Sequence, residues 1–355
     1  LMKQVLEGAE VTRSTQQHLD RCLTCRNCES TCPSGVEYGA LVDIGRRIVD
    51  AKVERPTLEK AARWLLKEGL TSPLFAPAMK TGQALRPLLP PVLKKKVPVA
   101  HPAKPWPTRE HARKVLMLTG CVQPAMMPNI NSATARVLDA AGIQTLVAEK
   151  AGCCGALRSH LGDHAGGLDD MRRNIDAWWP LLQAHKPEAI VMNASGCGVM
   201  VKDYAHALAA DPTYAHKAAL ISELTRDLSE LLPDLVEALR GKVKVAAVSQ
   251  LAFHPPCTLQ HGQKLRGGVE THLGALGFKV QIAGSESHLC CGSAGTYSVL
   301  QPTLSTQLRD RKLQNLEPLG AQVIVSANIG CIQHLQSGTA TPVRHWVEVL
   351  DDSIL

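Results

Sequence analysis

Beyond residue 113 the apolar positions gather into short runs, at 115–118, 145–148, 189–192, 251–254, 280–283 and 323–326, separated by longer stretches of helical period. The short runs read as strands, and the stretches 133–141, 168–182, 268–276 and 304–316 read as helices. Their alternation predicts α/β units built on mainly parallel sheet. Upstream the pattern changes. Residues 5–11 and 18–20 carry helical signals that lead into a group of cysteines, and Leu41, Ile44 and Ile48 then repeat at helical spacing, so two short helical pieces flank a loop. Between these regions Pro73, Pro77, Pro87, Pro90, Pro91, Pro98, Pro102, Pro105 and Pro107 remove backbone donors and fix φ. That stretch predicts an extended linker with one short helix.

The cysteines add a second regularity. Cys121 matches Cys257, Cys153 matches Cys290, Cys154 matches Cys291 and Cys197 matches Cys331, at offsets of 136, 137, 137 and 134 residues. A duplication explains the shared order. The expected organisation is an α+β multidomain chain: a helical N-terminal domain over 1–70, a Pro-rich linker over 71–113, a first cysteine-rich α/β repeat over 114–240 and a second over 241–355.

Composition narrows the class. Hydrophobic residues make up 45% and charged residues 20% of the 355, ordinary globular usage, so most of the chain can bury a core. Aromatics at 3% leave few stacking platforms, and the formal charge of +7 is modest and dispersed, so no nucleic-acid partner is expected. Lys94, Lys95 and Lys96 read as a solvated loop. No apolar run is long enough to span a membrane. The chain shows no secretory signal and begins at Leu1 rather than Met, which reads as an internal start in a reducing compartment. There, closely spaced cysteines mean metal or redox chemistry more often than disulfides.

Cys22, Cys25, Cys28 and Cys32, followed by Pro33, have the spacing of a bacterial ferredoxin loop, which wraps thiolates around a 4Fe-4S cube. In two-cluster proteins the fourth cysteine serves the other cluster. Zinc ribbons also use C-x-x-C but need a second pair at a distance, whereas these four thiols lie within eleven residues. In the repeats, Cys121 and Cys257 sit just past predicted strands, where open α/β sheets hold ligands. Neighbouring residues of a strand point to opposite faces, so Cys153-Cys154 and Cys290-Cys291 suit a metal-gripping loop, with Gly155 and Gly292 letting the backbone turn. Any one of these cysteines could be a buried apolar residue, but a fourfold match argues for a shared site. His254 and His261 bracket Cys257, and His160, His206, His288 and His334 lie near strand ends or cysteine motifs; hydrogen-bonding roles beside a site are expected of them. Trp178 and Trp179 are expected to pack a helix. No dinucleotide, nucleophile-elbow or Walker A motif is present.

The ferredoxin run, the proline linker and the two C…CCG…C repeats resemble the iron-sulfur subunits of bacterial glycolate oxidases. The likeness runs through CLTCRNCESTCPSG from Cys22, AGCCG at 151–155, NIDAWWP at 174–180, CTLQH at 257–261, SHLCCGSAGTY at 287–297 and VRHW at 343–346. It implies a ferredoxin-like N-terminal domain and two cysteine-rich repeats that carry 4Fe-4S or related clusters. Cys22, Cys25, Cys28, Cys32, Cys121, Cys153, Cys154, Cys197, Cys257, Cys290, Cys291 and Cys331 would be the ligands, with no catalytic residue on this chain. It also implies a partner flavin subunit, the bearer of FAD, that oxidises glycolate to glyoxylate, and electron delivery toward a quinone or other membrane acceptor. The location implied is cytoplasmic, or peripheral on the inner face of the membrane. Related cysteine-rich subunits serve lactate, glycerol-3-phosphate and heterodisulfide reductase complexes, and a catalytic disulfide reductase is the rival reading. Two features depart from the wider family. Ala194 and Asn328 stand where a C-x-x-C pair often ends each repeat, and the upstream ferredoxin run common in relatives is absent from this sequence.

Overall fold

The structure, a computed structural model, describes residues 2–90, 94, 97–245 and 248–355. Leu1, Pro91, Lys95 and Lys96, singled out in the sequence, lie outside the described residues. Two four-stranded sheets dominate. The first comprises β1 (Arg113–Met117), β2 (Ile143–Val147), β3 (Ala189–Met192) and β4 (Thr225–Asp227); the second comprises β5 (Gln250–Phe253), β6 (Lys279–Ile282), β7 (Val323–Ser326) and β8 (Val343–His345). Their orders are β2-β1-β3-β4 and β6-β5-β7-β8, with every pairing parallel.

Parallel strands need crossovers, and the crossover helices cover both faces. Val115 and Val191 pack on one side with Ile130, Ala133 and Val137 of the helix Asn129–Ala140. Leu116, Ile190 and Met192 pack on the other with Met171, Ile175 and Trp178 of the helix His164–His185. Neighbours along a strand therefore feed two cores, which is why these strands read as unbroken apolar runs rather than as alternation. Trp178 is fully buried and stacks on Tyr204, as expected of a packing residue.

The two sheets share a core that joins Val115, Ile130 and Leu138 to Leu251, Ile324 and Trp346. Polar groups lock the same face: Arg136 pairs with Asp351 at 2.7 Å, Asn129 Nδ2 donates to Glu348 at 2.8 Å, and the ring of His345 meets Asn193 O at 2.9 Å. The short last strand of each sheet ends in a capping box, Asp227 with Glu230 and His345 with Glu348, so the duplication extends to local caps.

At the N-terminus the helices Met2–Leu6, Arg13–Asp20 and Tyr38–Lys52 close on Val5, Leu19 and Val49. Thr12 and Thr15 cap the second helix reciprocally. Arg55 binds Asp20 at 2.6 Å and Asp50 at 2.7 Å, tying the end of this unit to its start. The proline stretch carries a ten-residue helix, Phe75–Ala84, with Pro77 in its first turn, where a missing N–H is tolerated. Among the described residues no helix is long and apolar enough to cross a membrane.

Candidate metal centres

Every repeat cysteine lies at the C-terminal edge of its sheet. Cys121 follows β1, Cys153 and Cys154 follow β2, and Cys197 sits in the first turn of the helix Ser195–Lys202 after β3. Cys257 follows β5, Cys290 and Cys291 follow β6, and Cys331 sits in the first turn of the helix Ile329–Gln336 after β7. In this strand order the chain reverses direction across the sheet between the first and third strands, which opens a crevice beyond their carboxyl ends. Both thiol groups occupy that crevice.

In the first repeat the thiols interact in series, Cys121 with Cys153, Cys153 with Cys154 and Cys154 with Cys197. Cys153 accepts from the thiols of Cys121 and Cys154 and from the N–H groups of Gly155 and Leu157, which pulls it down to about 3. The same bonds, with burial, push Cys121 and Cys154 well above the ordinary thiol range. The second repeat repeats the series: Cys257 and Cys290 are 3.7 Å apart, Cys290 meets Cys291, and Cys291 meets Cys331. The bond to Cys290 and burial drive Cys257 upward. Cys291 is eased by Cys290 but held high by Cys331 and burial. A metal binds the thiolate form, so its arrival would displace the protons these thiols hold.

Glycine shapes both grips. Gly155 has φ of +94° and Gly292 has φ of +89°, and a Cβ at either would approach backbone oxygen, Gly167 O at 2.7 Å or Ser305 O at 2.5 Å. Side chains then hold the loops. Asn174, buried on the Met171, Ile175, Trp178 face, binds Gly152 N and Cys153 O at 2.8 Å each, and Tyr204 donates to Cys154 O at 2.9 Å. In the second repeat buried Lys312 donates to Glu286 O at 2.6 Å, Ser305 to Gly292 O at 2.7 Å, and Asn328 Nδ2 to Cys331 Sγ at 3.7 Å. Asn174 and Lys312 were not singled out from the sequence. A polar residue on an otherwise apolar helical stripe was the signal that could have found them.

The N-terminal loop brings Cys22, Cys25 and Cys28 within electrostatic reach of one another. Thr24 and Arg26 take left-handed backbone, and Arg46 fastens the loop through Leu19 O and Cys22 O at 2.9 Å each. Burial and the nearby charges of Cys257, Cys22 and Cys28 raise Cys25 to about 11. Cys32 is tied to the turn that follows it, where the N–H groups of Val36 and Ser34 lower its pKa. The loop lies against the second repeat: Tyr297 Oη donates to Arg21 O at 3.3 Å, and Ser30 Oγ is 2.8 Å from His261 Nδ1. An ion pair between Arg26 and Asp203 reaches the first repeat.

The histidines divide. His261 engages His288 O at 2.9 Å, Ser30 and Arg266, and His334 engages Ser305 at 3.0 Å. His160 is lowered by burial and faces Asp43, Arg46 and Arg26. His206 and His288 are exposed. Burial pushes His254 down to about 3, and its Nε2 is buried with no hydrogen-bond partner. Each repeat thus offers four converging thiols with no carboxylate in the set, a soft donor set that suits iron-sulfur or zinc and not a hard cation. These residues fit an iron-sulfur group.

The model of a cysteine-rich domain family matches residues 115–202 and again 251–336. The chain is 52% identical to the glycolate oxidase iron-sulfur subunit of Escherichia coli (strain K12) over 100% of its own length and 86% of that protein. It is 28% identical to the probable glycolate oxidase iron-sulfur subunit of Bacillus subtilis (strain 168), over 95% of this chain and 81% of that one. Lactate utilization protein A of the same organism is 26% identical over 67% of this chain. Full-length likeness at that level, with two cysteine-rich units on two duplicated sheets, shows that the chain belongs to the glycolate oxidase iron-sulfur subunit family.

Proposed function

We propose that this chain is the electron-transfer subunit of a glycolate-oxidising complex, with all twelve cysteines as iron-sulfur ligands. Cys22, Cys25 and Cys28 hold a ferredoxin-type 4Fe-4S cluster within the helical domain over 1–70, with Cys32 as the fourth cysteine of its run. Cys121, Cys153, Cys154 and Cys197 hold a cluster in the repeat over 114–240, and Cys257, Cys290, Cys291 and Cys331 hold another in the repeat over 241–355. When bound, such clusters accept and release single electrons at potentials set by hydrogen bonds, charge and exposure. A separate FAD-bearing subunit carries out the oxidation of glycolate to glyoxylate, which releases two electrons and two protons. The electrons pass through this chain toward a quinone or another acceptor, at the cytoplasmic side of the membrane.

The single observation that carries this reading is the convergence of sequence-distant thiols at one edge of each duplicated sheet, with the ferredoxin-type loop seated beside the second group. A relay needs redox groups close to one another, and it needs no acid-base machinery of its own. The test is anaerobic preparation with iron and sulfide, metal and acid-labile sulfide analysis, and mixing with the flavin subunit and glycolate. Brown protein whose visible absorbance bleaches only when both partner and glycolate are present is the expected result. Colourless protein containing zinc alone, or glycolate turnover by this chain without a flavin partner, would refute it.

A further inference from the structure

His254 directly follows β5, three residues before Cys257, and its N–H continues the sheet ladder by donating to Val325 O at 2.8 Å. The ring is therefore placed by the sheet rather than by a loop. Ser326 Oγ donates to His254 O at 3.0 Å, and the same Oγ lies 3.0 Å from His254 Nδ1. A hydroxyl has one proton. With that proton on the carbonyl, Nδ1 must be the donor to Oγ, so the ring is the Nδ1–H tautomer and Nε2 presents a lone pair. Nε2 has no hydrogen-bond partner, and His254 is 1% exposed. A ring nitrogen of His254 and the sulfurs of Cys291 and Cys331 all lie within 4.8 Å of one another.

We propose that His254 Nε2 is a metal ligand of the second repeat's centre, which takes a mixed thiolate and imidazole donor set where the first repeat's centre takes thiolates alone. The inference rests on the reading that these repeats hold iron. Once the thiols have lost their protons to a metal, no S–H remains to donate to Nε2, and a lone pair facing thiolates is repelled unless a cation lies between them. Ligating histidines characteristically anchor the other ring nitrogen on a polar neighbour, as Nδ1 is anchored here on Ser326. The neighbouring His261 and His334 have their rings engaged by Ser30, His288, Arg266 and Ser305. The residue three before Cys121 in the first repeat is Leu118, buried and apolar, so the two repeats differ at this position.

Pulsed electron paramagnetic resonance of the reduced full chain, unlabelled and with ¹⁵N-histidine, tests this directly. The expected result is a strong nitrogen coupling that converts from ¹⁴N to ¹⁵N with the label. It should disappear in Cys291→Ser, together with the signal that bears it. In His254→Leu, which imitates the first repeat, the coupling should be lost. The labelled wild type decides by itself if His254→Leu does not fold. A second-repeat signal without histidine coupling overturns the proposal and leaves the cluster reading standing. A weak coupling from an exchangeable N–H proton, the sign of an imidazole donating to sulfur, overturns it in the same way. Iron and sulfide missing from the second repeat overturn both.

Discussion

Replacing Gly292 by alanine tests whether the glycine after the paired cysteines is required by geometry. At φ of +89° an L side chain is strained, at about 1–2 kcal/mol for left-handed backbone. The added Cβ would also lie 2.5 Å from Ser305 O and 3.1 Å from Leu308 Cβ, and the first of these is backbone of the helix Pro302–Leu316, which cannot swing aside as a side chain would. Overpacking of that kind adds about 1–3 kcal/mol. The sum is roughly 2–5 kcal/mol, enough to lower the melting temperature of the two-sheet unit by about 4–20 °C. The loop would relieve the contact by moving, and Cys290 and Cys291 move with it. Gly320 supplies the control: its φ is +62° but nothing lies within 4 Å of its Cβ position, so Gly320→Ala should show the backbone strain alone. Thermal melts followed by circular dichroism, with iron and sulfide analysis, read both effects. If Gly292→Ala melts no lower than Gly320→Ala and keeps full iron, the close-approach argument is wrong.

Cys153→Ser or Cys154→Ser should remove iron and one paramagnetic signal from the first repeat and spare the second, and Cys290→Ser or Cys291→Ser should do the reverse; unchanged metal in all four would make these cysteines structural. Lys312→Met should lower the potential of the second centre in a spectroelectrochemical titration and leave the first unmoved, and an equal shift in both would contradict a local charge effect. Burial holds His345 neutral, with its pKa down at about 3. Between that value and the unfolded value of about 6.5 only the unfolded chain binds the proton, so stability present above pH 6.5 is lost as pH falls, by up to about 1.4 kcal/mol per unit. Urea midpoints from pH 7 to pH 5 should therefore fall less steeply in His345→Gln, and parallel slopes would show that another group carries the dependence.

Legibility followed physical cause. The runs at 189–192 and 323–326 coincide with β3 and β7, and four other strands are displaced by one or two residues, because central parallel strands must be apolar on both faces. The three-residue β4 and β8, TRD and VRH, escaped notice: they mix charge with apolar residues at the edge of a sheet, too short to show a period. The helix Thr57–Thr71 has its pattern but buries none of its residues fully, so only its place within the helical region was foreseen. The grouping of the cysteines was legible from spacing and duplication: the four of each repeat come together, as do Cys22, Cys25 and Cys28. What holds them was not, since Asn174 and Tyr204 reach the loop at Cys153 and Cys154 from 21 and 50 residues away, and such contacts leave no local signature.

Asn174 and Lys312 also show how a duplication can yield two different centres. Each lies six residues before a proline, Pro180 or Pro318, and each donates to backbone carbonyls of the loop that carries the paired cysteines. The fold requires only a donor there. In the first repeat the donors to Cys153 O are a neutral amide and Arg173, at 3.2 Å, whose charge is offset by Asp170 at 2.6 Å, a carboxylate that Arg158 also approaches at 3.6 Å. In the second the donor is a cation, 3% exposed, within electrostatic reach of Cys291, Cys290 and Cys257, while the nearby Glu286 carboxylate is taken by Arg311. A buried positive charge favours the more negative, reduced state of any cluster beside it. Lys312 would therefore favour reduction of a cluster held by the second repeat, the one against which the loop of Cys22, Cys25 and Cys28 is packed.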